Sequence, residues 1–218
     1  MSLQLFGHPF SSYTWKALIA LYENATPFDF RVLEAAYPEN ADELAKRWPL
    51  KKFPVLVDGE RFVAEASVII DYLAVHYPGP VALIPADADA AIEVRMLDRL
   101  FDNYIMTPMQ KFVGDALRPE VGHDPHGVAE AKTMLDTAYA ILDRWMATRE
   151  WAAGSFTMAD CAAAGALFYA DWVHPIPEAL GNARAYRARL LARSSVSRCV
   201  EEARPYRHYF PLGAPDRD

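Results

Sequence analysis

The chain has 218 residues, 52% hydrophobic and 12% aromatic, enough to bury a sizeable core in one large domain or two small ones, which sets disorder aside. A formal net charge of −7 argues against nucleic acid or an anionic membrane surface as a partner. Two cysteines, Cys161 and Cys199, are too few for a disulfide framework or a cysteine-based metal site; with no signal-peptide pattern and no apolar run near the ~20 residues of a membrane span, a cytoplasmic protein is expected.

Leu3–Phe6 alternates as a half-buried strand does. Trp15, Leu18, Ile19 and Tyr22 then fall at helical spacing and predict a helix over Ser12–Glu23, which Asn24 ends. Ser11 and Ser12 precede it. On local evidence they are N-caps, although the free N–H groups of a helix start also favour an anion such as a thiolate. Phe28–Leu33 alternates again, giving a βαβ unit with parallel pairing. Pro38-Glu39-Asn40 opens a short polar helix, Ala41–Trp48, that Pro49 ends. Two apolar runs flanking Asp58-Gly59, from Phe53 to Val63, predict a hairpin. Glu65-Ala66-Ser67 leads into the helical face of Val68, Ile69, Tyr72, Leu73 and His76. The order βαβ-α-ββ-α implies a four-stranded mixed sheet with helices packed on it.

Pro78–Asp87 reads as a linker between a first domain of residues 1–77 and a second of residues 88–218. Beyond it the texture is helical. Ile92, Met96, Leu97, Leu100, Phe101, Tyr104 and Ile105 form a broad stripe, which Thr107-Pro108 is expected to kink or end before Met109, Phe112, Val113 and Leu117 extend it. Arg118–Gly127 reads as a loop, and Val128 to Trp145 as an amphipathic helix. Thr157 and Asp160 stand at capping-box spacing before Cys161–Ala170, a segment so apolar that it belongs at the centre of the second domain. Ala183–Ala192 and Val196–Ala203 give two final helices, and Pro205–Asp218 a tail. His123-Asp124-Pro125-His126 lacks further matched ligands, so no metal is expected. The seven arginines between Arg184 and Arg207 read as a solvated face or a bridge to the first domain. Cys161 reads as a core residue, and Cys199 lacks a Cys-x-x-Cys context.

Four stretches carry a resemblance that spans residues 3 to 210. They are Ser11-Ser12-Tyr13-Thr14-Trp15-Lys16-Ala17-Leu18-Ile19-Ala20-Leu21, Trp48-Pro49-Leu50-Lys51-Lys52-Phe53-Pro54-Val55-Leu56, Glu65-Ala66-Ser67-Val68-Ile69-Ile70-Asp71-Tyr72-Leu73, and Phe156-Thr157-Met158-Ala159-Asp160-Cys161. In this order the chain resembles the soluble glutathione transferase family, and the first stretch is similar to the serine-type turn of the zeta class. The resemblance implies an α/β plus all-α fold: a thioredoxin-like N-terminal domain followed by an all-helical C-terminal domain. It also implies a homodimer that uses glutathione as cosubstrate, without a permanently bound cofactor.

By motif position the resemblance gives Ser11 the task of stabilising the glutathione thiolate, with Ser12 as runner-up and Tyr13 third. It implies Lys52 beside the glycyl carboxylate and the backbone of Phe53, before a cis-Pro54, against the cysteinyl part. Glu65-Ala66-Ser67 would hold the γ-glutamyl end at a helix start. Ala66 stands where the family has serine, a loss of about 0.5–1.5 kcal/mol if that hydrogen bond is typical. Phe10, Tyr104, Met109, Phe112 and Trp172 are candidates for the wall of a pocket for a small hydrophobic electrophile; helix-core packing is the other reading of each. The implied activity is conjugation of glutathione to that electrophile. Glutathione-dependent cis–trans isomerisation of a small dicarboxylate, and ligand binding without turnover, are the alternatives.

Overall fold

The computed structural model describes residues 3–218. Alternating apolar residues build a four-stranded sheet from β1 (Leu3–Gly7), β2 (Phe28–Val32), β3 (Val55–Asp58) and β4 (Arg61–Ala64), in the order β2-β1-β3-β4. β1 pairs parallel with β2, Leu5 opposite Phe30, and antiparallel with β3, Leu5 opposite Leu56. The β3–β4 hairpin turns through Gly59, whose φ of +58° glycine adopts without a Cβ penalty.

The period-two pattern sorts the sheet's two faces. Phe6, Val55 and Val57 pack with Leu44 of α2 (Pro38–Arg47) in a small core. Leu3, Leu5 and Leu56 face the main core with α1 (Ser12–Glu23) and α3 (Ala66–His76). α2 starts at Pro38 and not at Ala41, because proline at a helix start forgoes only an N–H that has no partner there.

The remaining elements are helical: α4 (Ala88–Phe101), a π-helical turn (Asp102–Met106), α5 (Thr107–Ala116), α6 (Pro125–Met146), α7 (Met158–Val173), α8 (Gly181–Ala192) and α9 (Ser194–Ala203). α7 is capped by the reciprocal Thr157–Asp160 box and buried almost throughout. It packs against α1 and α4, so α1 lies between the sheet and α7. Among the described residues, no helix is long and apolar enough to cross a membrane.

Four expectations are corrected. Pro108 does not end its helix: the wider π turn before it lets Thr107 N–H reach the Asp102 carbonyl, and the chain continues to Ala116. The stripe along α4 and the π turn is narrower than its apolar content suggests, since Val94, Leu97 and Phe101 are buried while Ile92 and Met96 of α4 and Tyr104 of the π turn are exposed. The stretch 118–127 contains a 3-10 turn, Glu120–Gly122, and the first residues of α6, where Asp124 accepts from Gly127 N–H at 2.8 Å. The tail is ordered by contacts: a 3-10 turn runs from Arg204 to Tyr209, Phe210 is buried, and Arg217 pairs with Asp171 of α7.

Candidate active site

The turn from β1 into α1 has its backbone groups bonded one by one. Gly7 admits the closest approach: a Cβ there would stand 2.6 Å from Thr14 Cγ2 and 2.8 Å from its Oγ1. His8 N–H donates to Thr14 Oγ1 at 3.3 Å, Phe10 N–H to His8 Nδ1 at 3.1 Å, and Ser11 N–H to the His8 carbonyl at 3.0 Å. Trp15 Nε1–H donates to the Pro9 carbonyl at 2.6 Å. Accepting from Phe10 requires a neutral His8 ring, and burial lowers the His8 pKa against an opposing pull from Glu34.

Ser11 is the N-cap of α1, its Oγ accepting from Thr14 N–H at 3.3 Å. That bond uses a lone pair and leaves the O–H proton to donate elsewhere. Ser12 is the first helical residue and is pressed against α7, where a Cβ on Gly165 would stand 3.0 Å from the Ser12 carbonyl oxygen.

A cleft of about 530 Å³ opens beside the turn. Ser11, Lys52, Phe53, Pro54, Glu65, Ala66 and Ser67 all line it. The Phe53–Pro54 peptide bond is cis. Glu65 precedes α3 with φ +68°, a left-handed conformation unusual for a non-glycine residue. The N–H groups that begin α3 have no helical partner and can meet an anion.

A charged group lies beneath the cleft that sequence reasoning missed. Lys16, 1% exposed, sets its ammonium against three acceptors: Ser67 Oγ at 2.8 Å, Asp102 Oδ2 at 2.8 Å, and Asp98 Oδ1. Arg99 adds contacts to Asp98 and Asp102 at 2.6 Å and to Ser67. Burial raises the Asp102 pKa, opposed by Lys16. Burial, with the nearby Asp102 charge, pushes the Tyr13 phenol up to about 12, so it remains a protonated donor at neutral pH. The sequence offered a lysine within the apolar run of α1 and two aspartates four apart, Asp98 on α4 and Asp102 at the start of the π turn, with nothing local to bring them together.

A second, apolar pocket of about 270 Å³ adjoins the first, and Ser11, Tyr13 and Gln110 line both. Phe10 and Met109 form part of its wall; Tyr104, Phe112 and Trp172 do not line it. Trp172 stands behind that wall, its ring 6.3 Å from Phe10 and 5.1 Å from Phe210. The opposite side comes from the tail, Tyr209, Phe210 and Pro211. Both cysteines are fully buried, which raises their pKa values well above the ordinary thiol range. No group of side chains able to hold a metal occurs among the described residues.

A βαβ-α-ββ-α sheet unit followed by an all-helical half is a thioredoxin-like domain carrying a helical one. Residues 5–81 match the family model described as glutathione S-transferase, N-terminal domain. A glutathione S-transferase of Pseudomonas putida is 30% identical over 164 residues, covering 72% of this chain and 70% of the relative. The crystal structure of a glutathione S-transferase from Methylobacillus flagellatus with GSH bound matches with a TM-score of 0.82 at 25% identity, over 91% of this chain and 98% of that one. A glutathione S-transferase from Methylobacterium radiotolerans, solved with glutathione sulfonate, matches at 0.79 and 26% identity, over 92% and 95%. The chain belongs to the glutathione S-transferase family, and is a transferase by that membership.

Proposed function

We propose that this transferase binds glutathione in the cleft, ionises its thiol at Ser11, and transfers the thiolate to a small apolar electrophile held in the adjoining pocket. The observation that carries this reading is that Ser11 lines both the polar cleft and the apolar pocket, at their junction. Glutathione brings its own nucleophile, so the chain's task is to favour the thiolate. A free thiol has a pKa of about 8.5 and is only a few per cent ionised at neutral pH. A hydrogen bond from Ser11 to the sulfur anion contributes about 1.5–3 kcal/mol, and the start of α1 about 0.3–1 kcal/mol more. At about 1.36 kcal/mol per unit, together these lower the thiol pKa by one to two units. Accepting from Thr14 N–H polarises the Ser11 hydroxyl and strengthens it as a donor.

In this reading Lys52 neutralises the glycyl carboxylate, the Phe53 backbone pairs with the cysteinyl amide beside Pro54, and the start of α3 at Glu65, Ala66 and Ser67 receives the γ-glutamyl carboxylate. The domains are residues 1–77 and 88–218, joined by 78–87, and the protein works in the cytoplasm as a homodimer. What supports the dimer is an unpartnered apolar strip, Val68 and Val75 on α3 beside Ile92 and Met96 on α4, with Val75 73% and Ile92 64% exposed.

Titration calorimetry with glutathione, paired with thiolate absorbance across pH, tests the reading. Binding with a depressed thiol pKa is expected. In Ser11→Ala the bound thiol's pKa should return toward that of free glutathione while binding is largely kept; in Ser12→Ala it should not. No binding at millimolar glutathione overturns the assignment, and normal binding with an unshifted thiol points to a non-catalytic ligand carrier.

A further inference from the structure

Lys16, Asp98, Asp102 and Arg99 make a group of two positive and two negative charges, with Lys16 at its most buried corner. Taking an ammonium out of water is costly unless it is paired, and here it donates to Ser67 Oγ and Asp102 Oδ2 and lies in ion-pair contact with Asp98. That pairing fixes two groups that border the cleft. The Ser67 hydroxyl accepts from Lys16 and Arg99 and donates to Asp98 at 2.8 Å, which uses both lone pairs and its proton. It therefore has nothing left with which to replace the hydroxyl missing at Ala66. Asp102, which lines the cleft, gives Oδ2 to both Lys16 and Arg99, whereas its Oδ1 accepts no hydrogen bond from the described residues.

We propose that Lys16 is a positioning residue for the γ-glutamyl end of glutathione: by drawing Oδ2 of Asp102 inward, it leaves Oδ1 aimed at the ligand's α-ammonium while the start of α3 takes the α-carboxylate. This rests on the glutathione reading given above. Recognition here falls to an ammonium–carboxylate contact in place of the serine hydroxyl absent at Ala66. Lys16 touches no part of the ligand and acts through Asp102. It lies five residues after Ser11 on α1, so the same helix sets both ends of the site.

The experiment compares the calorimetric Kd of glutathione with that of its des-amino analogue, in which a glutaryl group replaces γ-glutamyl and only the ammonium is lost. The wild-type protein should prefer glutathione by about tenfold or more, the scale of a charge-assisted hydrogen bond. In Lys16→Met, and in Lys16→Met/Asp98→Asn, which removes one charge of each sign, that preference should collapse to within about twofold. In these variants KM for glutathione should rise while kcat at saturation stays nearly constant, and Lys16→Arg should restore most of the preference. A wild-type protein that binds both ligands equally overturns the proposal without any variant. So does a Lys16→Met protein that keeps the preference, or one that loses both ligands equally, the mark of a purely structural role. A wild-type protein that binds neither ligand instead overturns the glutathione reading, and the Lys16 proposal with it.

Discussion

Tyr169 of α7 reaches across to the turn before α1: its hydroxyl donates to the Phe10 carbonyl at 2.8 Å, and the two rings meet edge to face with centroids 5.4 Å apart. The helical half of the chain thus helps hold the turn that presents Ser11. Tyr169→Phe keeps the ring and leaves the carbonyl unpaired. It should cost about 1–3 kcal/mol in urea-unfolding free energy and lower kcat. Unchanged values for both would show that the hydroxyl contact is incidental.

Gly7→Ala should destabilise by about 1–3 kcal/mol, the range for overpacking, because the new methyl collides with the fully buried Thr14. Thr14→Ser removes the colliding methyl and keeps the hydroxyl that accepts from His8 N–H. The double variant should recover part of the loss in thermal melts, and failure to do so places the strain elsewhere.

His8 gives the turn a pH dependence of definite sign. Glu34, Tyr206 and Tyr209 face its ring, and burial sets its pKa below the ordinary 6.5. As pH falls below 6.5 the unfolded chain takes up the proton before the folded one does, so stability rises with pH in that window. The contribution is complete above 6.5 and is lost as pH drops through the folded value. Urea melts of wild type and His8→Gln between about pH 5 and 7 should show a shallower slope for the variant. Equal slopes would remove His8 from the account.

Met96→Glu puts a charge into the exposed strip of α3 and α4, at a residue that does not itself line the cleft. Size-exclusion chromatography with light scattering should show a wild-type dimer and a variant monomer, with glutathione affinity retained. A wild-type protein that runs as a monomer would end the proposal for that strip.

The elements that local pattern defines were legible in the sequence. β1, α1, the Asp58-Gly59 hairpin and the Thr157–Asp160 box each follow from spacing within a dozen residues. The π turn was not, since one widened turn leaves an apolar stripe almost unchanged. Ile92 and Met96 misled because an apolar residue can face outward as readily as inward on a four-turn helix. The Lys16 group was out of reach for a different reason. Its partners lie 51 and 86 residues along the chain, and nothing local signals that the three helices converge. The tail's contribution to the apolar pocket, through Tyr209 and Phe210, was hidden in the same way.

α1 ends as firmly as it begins. Glu23 at its last position is held by Arg193 at 2.7 and 2.5 Å and by the Ser195 hydroxyl, so the helix is fastened at one end to the N-terminus of α9 and near the other, through Lys16 and Asp98, to α4. Its buried surface is shared between the sheet and α7, and neither half can close its core alone. Cutting the chain between α3 and α4 would not release a stable sheet-bearing fragment; it would strip Trp15, Ala17 and Leu18 of part of their cover and leave a sticky remnant. Denaturation should accordingly proceed as one cooperative event, with both halves lost at the same denaturant concentration whichever probe follows them.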